Sequence, residues 1–340
     1  MTAFQANPGV LETSDRVDVL IVEPLDPEVL QWLGGRHAVR YAPHLAGEPY
    51  EFKRSLSHLR SMIIPPSVTL DAEVIASAPL LRAVGRVSSG AENIDQQACL
   101  RAGIEVVRPT DPSAVAEAEF VIGALLQMLR RVPIVSEEGL LVGRELGGRH
   151  VGLLGMVATA KPLGKLLRAF GARVVGYDPA LHASDALWSR WGVAPVALGD
   201  LFERCDAVCV LMTYFSRYRG LVGERLLSLA KPNQVLVSLA HSSLFEEQAL
   251  ADALSGGRLA AAWFDSMEPG LQDPGRPLHH LDTLQVTPRV ASTTLESRSR
   301  SAWTVARRID QLLGGAVSDA DFTNTVRDDL ADLADGPAPG

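Results

Sequence analysis

Short apolar runs, rich in β-branched residues, alternate along this chain with stretches whose apolar positions recur every third or fourth residue. VDVLIVEP (Val17–Pro24), SMIIPPS, LRAVGRVSSG and IEVVRP read as strands, and PEVLQWLGG and QQACLRAG as helices between them. Strand and helix in alternation argue for parallel sheets covered by helices. The most apolar helical stretch is DPSAVAEAEFVIGALLQMLRRV (Asp111–Val132). Asp111 is expected as its N-cap, Pro112 in its first turn, and the arginines at its C-terminus. A second α/β block then runs to about Ser292, with strands expected at VGLLG, RVVGYD, AVCVLM, QVLVSL, AAAWFD and LQVTP. TLESRSRSAWTVARRIDQLLGG closes the pattern as an amphipathic helix, followed by a polar tail.

Chemistry first shows in the second block, at VGLLGMVATAKPLGKLLRAFGARVVGYDP (Val151–Pro179). Strand, small-residue turn, helix and a second strand ending in an acid form the outline of a dinucleotide-binding unit. Three glycines normally serve such a turn: one for the tight bend, one for backbone approach to the pyrophosphate, one for helix packing. Here those places hold Gly155, Val157 and Ala160. Alanine is an accepted third residue, whereas the β-branched Val157 is expected to intrude where phosphate oxygens come close. Pro162 lacks an N–H and is expected to delay the helix, leaving Thr159 or Ala160 at its start. Free N–H groups at that end attract phosphate, so Gly155, Met156, Val157, Ala158, Thr159 and Ala160 are the candidate cofactor residues. Asp178 stands where an acid holds ribose hydroxyls and disfavours a 2′-phosphate, which favours NAD. Met212 and Thr213, ending the AVCVLM strand, complete the set.

Composition narrows the partners. The chain has 340 residues, 47% of them hydrophobic and 21% charged, with a net charge of −8, an ordinary globular balance without a footprint for nucleic acid or anionic lipid. The opening MTAFQANPGVLETSD has neither a basic nor an apolar signal region, and no apolar run is long enough to span a bilayer. Three cysteines, Cys99, Cys205 and Cys209, suit a reducing, cytoplasmic setting. Cys205 and Cys209 are expected on one face of a strand as buried small hydrophobes, not a metal site. No metal is expected elsewhere.

Several further blocks, in order, resemble the D-isomer-specific 2-hydroxyacid dehydrogenases from about Val17 to Gly315. VSSGAENIDQQACLRAGIEVV resembles that family's substrate loop, AVAEAEF its long interdomain helix, GRLAAAWFDSMEP a segment with an aspartate near the nicotinamide and a glutamate before proline, and VTPRVAS the block of the catalytic histidine. The resemblance implies a Rossmann-type NAD domain (112–294, including the long helix 112–132) inserted into a flavodoxin-like substrate domain (1–111 and 295–330), with 331–340 a flexible tail. It implies a homodimer, a small anionic substrate held at Ser88, Ser89 and Gly90, and Asp265 beside the cofactor. Two residues depart from the pattern. Where the family has its arginine, this chain has His241; where the family has its histidine, this chain has Arg289. Arginine stays protonated and cannot shuttle a proton, but it can bind a carboxylate or an oxyanion. Histidine titrates near neutrality and can serve as acid/base. The expected machinery is therefore His241 as acid/base and Arg289 as anion binder, with Glu268 pairing with Arg289 and His241 left without an orienting carboxylate. A catalytically silent NAD(H)-binding regulator on the same fold, and a cleft for a different anionic ligand, stand as alternatives.

Overall fold

The computed structural model describes residues 17–88, 92–109, 111–131 and 134–314. The chain divides into two compact units, one made of residues up to Pro112 with those from Arg298 on, the other of Ser113–Ser297. The limits expected from sequence differ from these by one residue at the first crossing and three at the second.

The first unit runs β1 (Val19–Ile21), α1 (Pro27–Gly34), β2 (Val39–Tyr41), α2 (Pro49–Arg54), β3 (Ser61–Ile63), α3 (Ala72–Ala76), β4 (Ala83–Gly85), α4 (Gln96–Arg101) and β5 (Glu105–Val107). Its strands are all parallel, in the order β2-β1-β3-β4-β5, the flavodoxin-like doubly wound arrangement. Alternation splits each strand between two cores. Leu20, Met62 and Val84 face one, while Val19, Ile21, Ile63 and Ala83 face the other. β2 went unread in the sequence because Val39–Tyr41 is an edge strand of intermediate to exposed residues.

The second unit begins with α5 (Ala114–Arg131). Asp111 is not its N-cap. It lies three residues upstream at φ +58°, a left-handed conformation that aspartate tolerates better than most residues. Ser113 starts the helix instead, its carbonyl accepting from Glu117 N–H and its hydroxyl donating to the Glu117 carboxylate. A hairpin of β6 (Ile134–Val135) and β7 (Leu141–Val142) follows. The main sheet comprises β8 (His150–Leu154), α6 (Ala160–Ala169), β9 (Arg173–Tyr177), α7 (Ala186–Trp191), β10 (Ala194–Pro195), α8 (Leu198–Arg204), β11 (Ala207–Val210), α9 (Glu224–Leu227), β12 (Val235–Ser238), α10 (Glu247–Ser255), β13 (Ala261–Phe264) and β14 (Leu284–Val286). Seven parallel strands lie in the order β10-β9-β8-β11-β12-β13-β14. Sequence showed six of them. The seventh, β10, has two residues, one a proline tolerable only at a sheet edge.

Two apolar clusters sandwich this sheet. One joins α5 and α6 to Val151, Leu153 and Cys209, and the other joins α8 and α10 to Leu154, Val208 and Val210. Each fully buried leucine contributes about 1.5–3 kcal/mol. Cys205 and Cys209 do not share a face: Cys205 caps α8 in one cluster, and Cys209 lies on β11 in the other. Burial pushes the Cys205 thiol up to about 12 and Cys209 higher than its ordinary value too, so both are inert hydrophobes. α11 (Leu295–Leu313) carries the chain back into the first unit, where Ala302, Val305, Ala306 and Ile309 cover β1 and β4.

Candidate active site

Parallel strands bring their C-terminal ends to one edge, and loops at that edge carry the chemistry of doubly wound folds. In the second unit that edge presents, in sheet order, Asp178 after β9, Gly155 after β8, Met212–Tyr214 after β11, His241 after β12, Asp265 and Glu268 after β13, and Arg289 after β14. The order reverses between β8 and β11, where a crevice is expected.

The turn after β8 is fixed by a close approach. Gly155 sits at φ +104°, and a Cβ there would lie 2.5 Å from the Met212 backbone; only glycine fits. Met212 is buried and donates its N–H to Leu154 O, closing β11 onto β8. The Asp178 carboxylate accepts from Met156 N–H at 2.7 Å and from Ala180 N–H at 2.8 Å, so it ties the second strand to the turn. Val157 is half-buried and packs against the apolar cluster that contains α5 and α6. The methyls thus have a place in the core, which removes the expected objection to valine at the second glycine position. The helix begins where expected. It starts at Ala160, preceded by a tight turn in which Ala160 N–H donates to Val157 O, so Pro162 falls in the first turn where its missing N–H costs nothing. Thr159 offers no free hydroxyl, since it is buried and donates to Glu117. Ala158 is half-buried and Thr213 exposed. These backbone features fit a dinucleotide.

At the other side of the edge the structure rearranges the expected partners. Glu268 does not pair with Arg289. Its carboxylate accepts from the Ser243 hydroxyl at 2.9 Å and the Ser242 hydroxyl at 3.1 Å, and Oε1 lies 3.9 Å from His241 Nε2. Ser242 Oγ also accepts the Glu268 backbone N–H. Above all the Ser243 hydroxyl, then Ser242 and the charges of His241 and Arg219, outweigh partial burial and hold the Glu268 carboxyl below its ordinary range. The other imidazole nitrogen, Nδ1, accepts from Ser243 N–H at 3.2 Å, making His241 the cap of the short turn Ser242–Leu244. The neutral ring therefore carries its proton on Nε2, the nitrogen that faces Glu268. His241 thus has a carboxylate beside it, 3.9 Å away, and a cavity of about 370 Å³ adjoins Glu268, Ser242 and Ser243.

Arg289 is held by its backbone. It lies at φ +58°, its N–H donating to Asp265 O at 2.6 Å and to Thr287 O at 3.0 Å. Its guanidinium is exposed and makes no ion pair among the described residues. Asp265 is buried, and its carboxylate accepts from the Thr287 hydroxyl and from Val290 and Ala291 N–H, all at 2.8–2.9 Å. Asp265 is thus the anchor of the Arg289 loop. In the first unit, Ser88 is exposed just after β4 and its hydroxyl accepts from buried Arg86 at 2.6 Å; Ser89 and Gly90 lie outside the described residues. Sequence reasoning missed Ser242, Ser243 and Tyr214. The last stacks on His241, and only its place after β11 could have flagged it.

Fold and edge together define a nucleotide-binding α/β protein of the two-unit kind. Residues 123–291 match the family described as D-isomer specific 2-hydroxyacid dehydrogenase, NAD binding domain. The chain is 30% identical over 306 residues to (S)-sulfolactate dehydrogenase of Chromohalobacter salexigens, covering 87% of this chain and 98% of that one. It is also 30% identical over 307 residues to D-3-phosphoglycerate dehydrogenase of Mycobacterium bovis, covering 87% of this chain but 57% of that enzyme; the chain thus spans little more than half the length of such relatives. Among solved structures, the apo D-mandelate dehydrogenase of Rhodotorula graminis shares the fold with a TM-score of 0.71 at 20% identity, over 88% of this chain and 96% of that one. The chain belongs to the D-isomer-specific 2-hydroxyacid dehydrogenase family, and its cofactor domain is the NAD-binding domain of that family.

Proposed function

We propose that the protein is an NAD-dependent oxidoreductase interconverting a small 2-hydroxy acid and its 2-oxo acid, with the family's histidine–carboxylate pair rebuilt from a different strand. The observation that carries this reading is His241 Nε2 facing Glu268 while Nδ1, accepting from Ser243 N–H, is left without a proton of its own. NAD supplies a hydride donor or acceptor at nicotinamide C4 when bound at the Gly155 turn. Gly155 and Asp178 set the backbone of that turn, and the start of α6 presents the positive end of a helix toward phosphate. His241 exchanges a proton with the substrate oxygen at Nδ1, the nitrogen without a proton in the neutral ring, in place of the Ser243 N–H contact, and Glu268, ionised beside Nε2–H, favours the imidazolium that results. Arg289, permanently charged, takes the substrate carboxylate.

The proposed state is a homodimer. Leu140 and Leu141 of the β6–β7 hairpin are 62% and 73% exposed, a large apolar display for a solvated hairpin. The three cysteines are free, buried thiols, which fits a reducing, cytoplasmic location.

Calorimetric titration with NAD⁺ and NADH, followed by a panel of 2-oxo acids with NADH, tests the reading. His241→Ala is expected to lower kcat by roughly 10²–10⁴-fold and to leave cofactor affinity unchanged. Undiminished turnover in that variant would remove His241 from the chemistry. Cofactor binding without turnover of any acid would leave the silent regulator as the better account.

A further inference from the structure

His241 is held from three directions, and one of them has no counterpart in the proton chemistry. The Tyr214 ring lies flat against the imidazole, with centroids 4.9 Å apart and planes inclined by 21°. Tyr214 itself is half-buried against the cluster of α8 and α10. The loop that carries it is sewn to the turn that carries His241. Gly220 N–H donates to Ser243 O, Val222 N–H to Leu244 O, and Glu246 N–H to Val222 O. Arg217 stiffens the same loop by lying over the rings of Phe215 and Tyr218, 4.8 and 4.6 Å from their centroids. Two segments from different strands are thus locked in register, and the stack follows from the backbone rather than from a chance rotamer.

An imidazole at the surface turns readily about its Cβ–Cγ bond, and a quarter-turn out of its plane carries Nδ1 off the Ser243 N–H and Nε2 off Glu268. A flat aromatic partner resists that rotation and favours the cationic ring. We propose that Tyr214 is a positioning residue for His241, holding the imidazole plane so that Nδ1 rests unprotonated at the Ser243 N–H and Nε2–H faces Glu268. The groups facing the ring are Tyr214 from the loop after β11, Ser243 from its own turn and Glu268 from the segment after β13, with Arg219 acting on Glu268. The catalytic consequence rests on the oxidoreductase reading; the geometric one does not.

Two readouts separate them. The first is the ¹⁵N spectrum of the His241 ring at a pH where it is neutral, in protein labelled at histidine and assigned by comparison with His241→Gln. The parent is expected to show an unprotonated Nδ1 and a protonated Nε2. Tyr214→Phe keeps that signature, while Tyr214→Leu shifts both nitrogens toward the average of the two tautomers. The second is kinetic: Tyr214→Leu lowers kcat by up to about 10²-fold, the scale of a misplaced catalytic group, with the Kd for NADH within about twofold, and Tyr214→Phe restores the parent value. Tyr214→Thr gives the same reading should the leucine variant fail to fold. An unchanged ring signature in both truncations overturns the proposal. So does an equal loss of kcat in Tyr214→Phe, which would make the hydroxyl the active part. A changed signature in protein that turns over no 2-oxo acid upholds the positioning and sinks the oxidoreductase reading alone.

Discussion

The two ends of the strand edge in the second unit differ in what holds them. Around β8 and β9 the side chains have drifted while the backbone is held: two of three glycine places are filled by Val157 and Ala160, yet Gly155 and Asp178 still fix the turn. Around β12 to β14 the chemical groups are kept while their places are exchanged. His241 meets Glu268 through serines that sequence alone gave no reason to notice, and Arg289 stands alone on a loop gripped by Asp265. Phosphate recognition by backbone N–H groups tolerates any side chain that can be turned aside. Proton transfer needs a particular atom near another, but not a particular strand to supply it.

Substitutions can break this contrast, beginning where backbone geometry is most constrained. Gly155→Ala combines a disfavoured φ with a Cβ 2.5 Å from the Met212 backbone, and is expected to cost on the order of 3 kcal/mol or more and to abolish NADH binding. Thermal unfolding and calorimetry read both; a parent-like variant would mean that the turn is not held as described. Arg289→Gly acts in the opposite sense on stability. Relief of the left-handed backbone is expected to stabilise the fold by about 1 kcal/mol while raising KM for the 2-oxo acid, measured by urea unfolding and initial rates. Loss of stability would show that the guanidinium has a structural partner.

Glu268→Gln should have the smallest effect on folding. Its carboxyl is held below the ordinary value of 4.5, so its contribution is present in full above that value and is lost as pH falls through the lowered one. With its side chain 46% exposed, solvent screening keeps that contribution small. The stability gap between parent and variant should be flat above about pH 5 and close only below 4.5. A gap that opened toward neutral pH would reverse the sign and the assignment.

Most of the architecture was legible because strands buried on both faces, such as Val235–Ser238 and Ala261–Phe264, announce themselves as apolar runs. Two of the edge strands did not: β2 and β10 are short and largely solvent-facing. Asp111 misled because Asp-Pro before an apolar run is the signature of a cap, and a left-handed residue leaves no mark of its own. The cofactor turn could be read because it is continuous in sequence. The partner of Glu268 could not, since charge alone favours arginine, and the outcome depends on where the serine-bearing turn after β12 lies relative to the segment after β13.

The Asp265 carboxylate has an effect beyond its own bonds. By gripping the Thr287 hydroxyl and the amides of Val290 and Ala291, it sets the course of the loop through atoms that every residue type at position 289 leaves untouched. That position is a socket whose course owes nothing to the side chain it carries, provided the residue accepts a left-handed backbone. A lineage could replace the side chain there in a single step without first unfolding the rim, and chemistry could migrate across the sheet while the protein remained sound throughout.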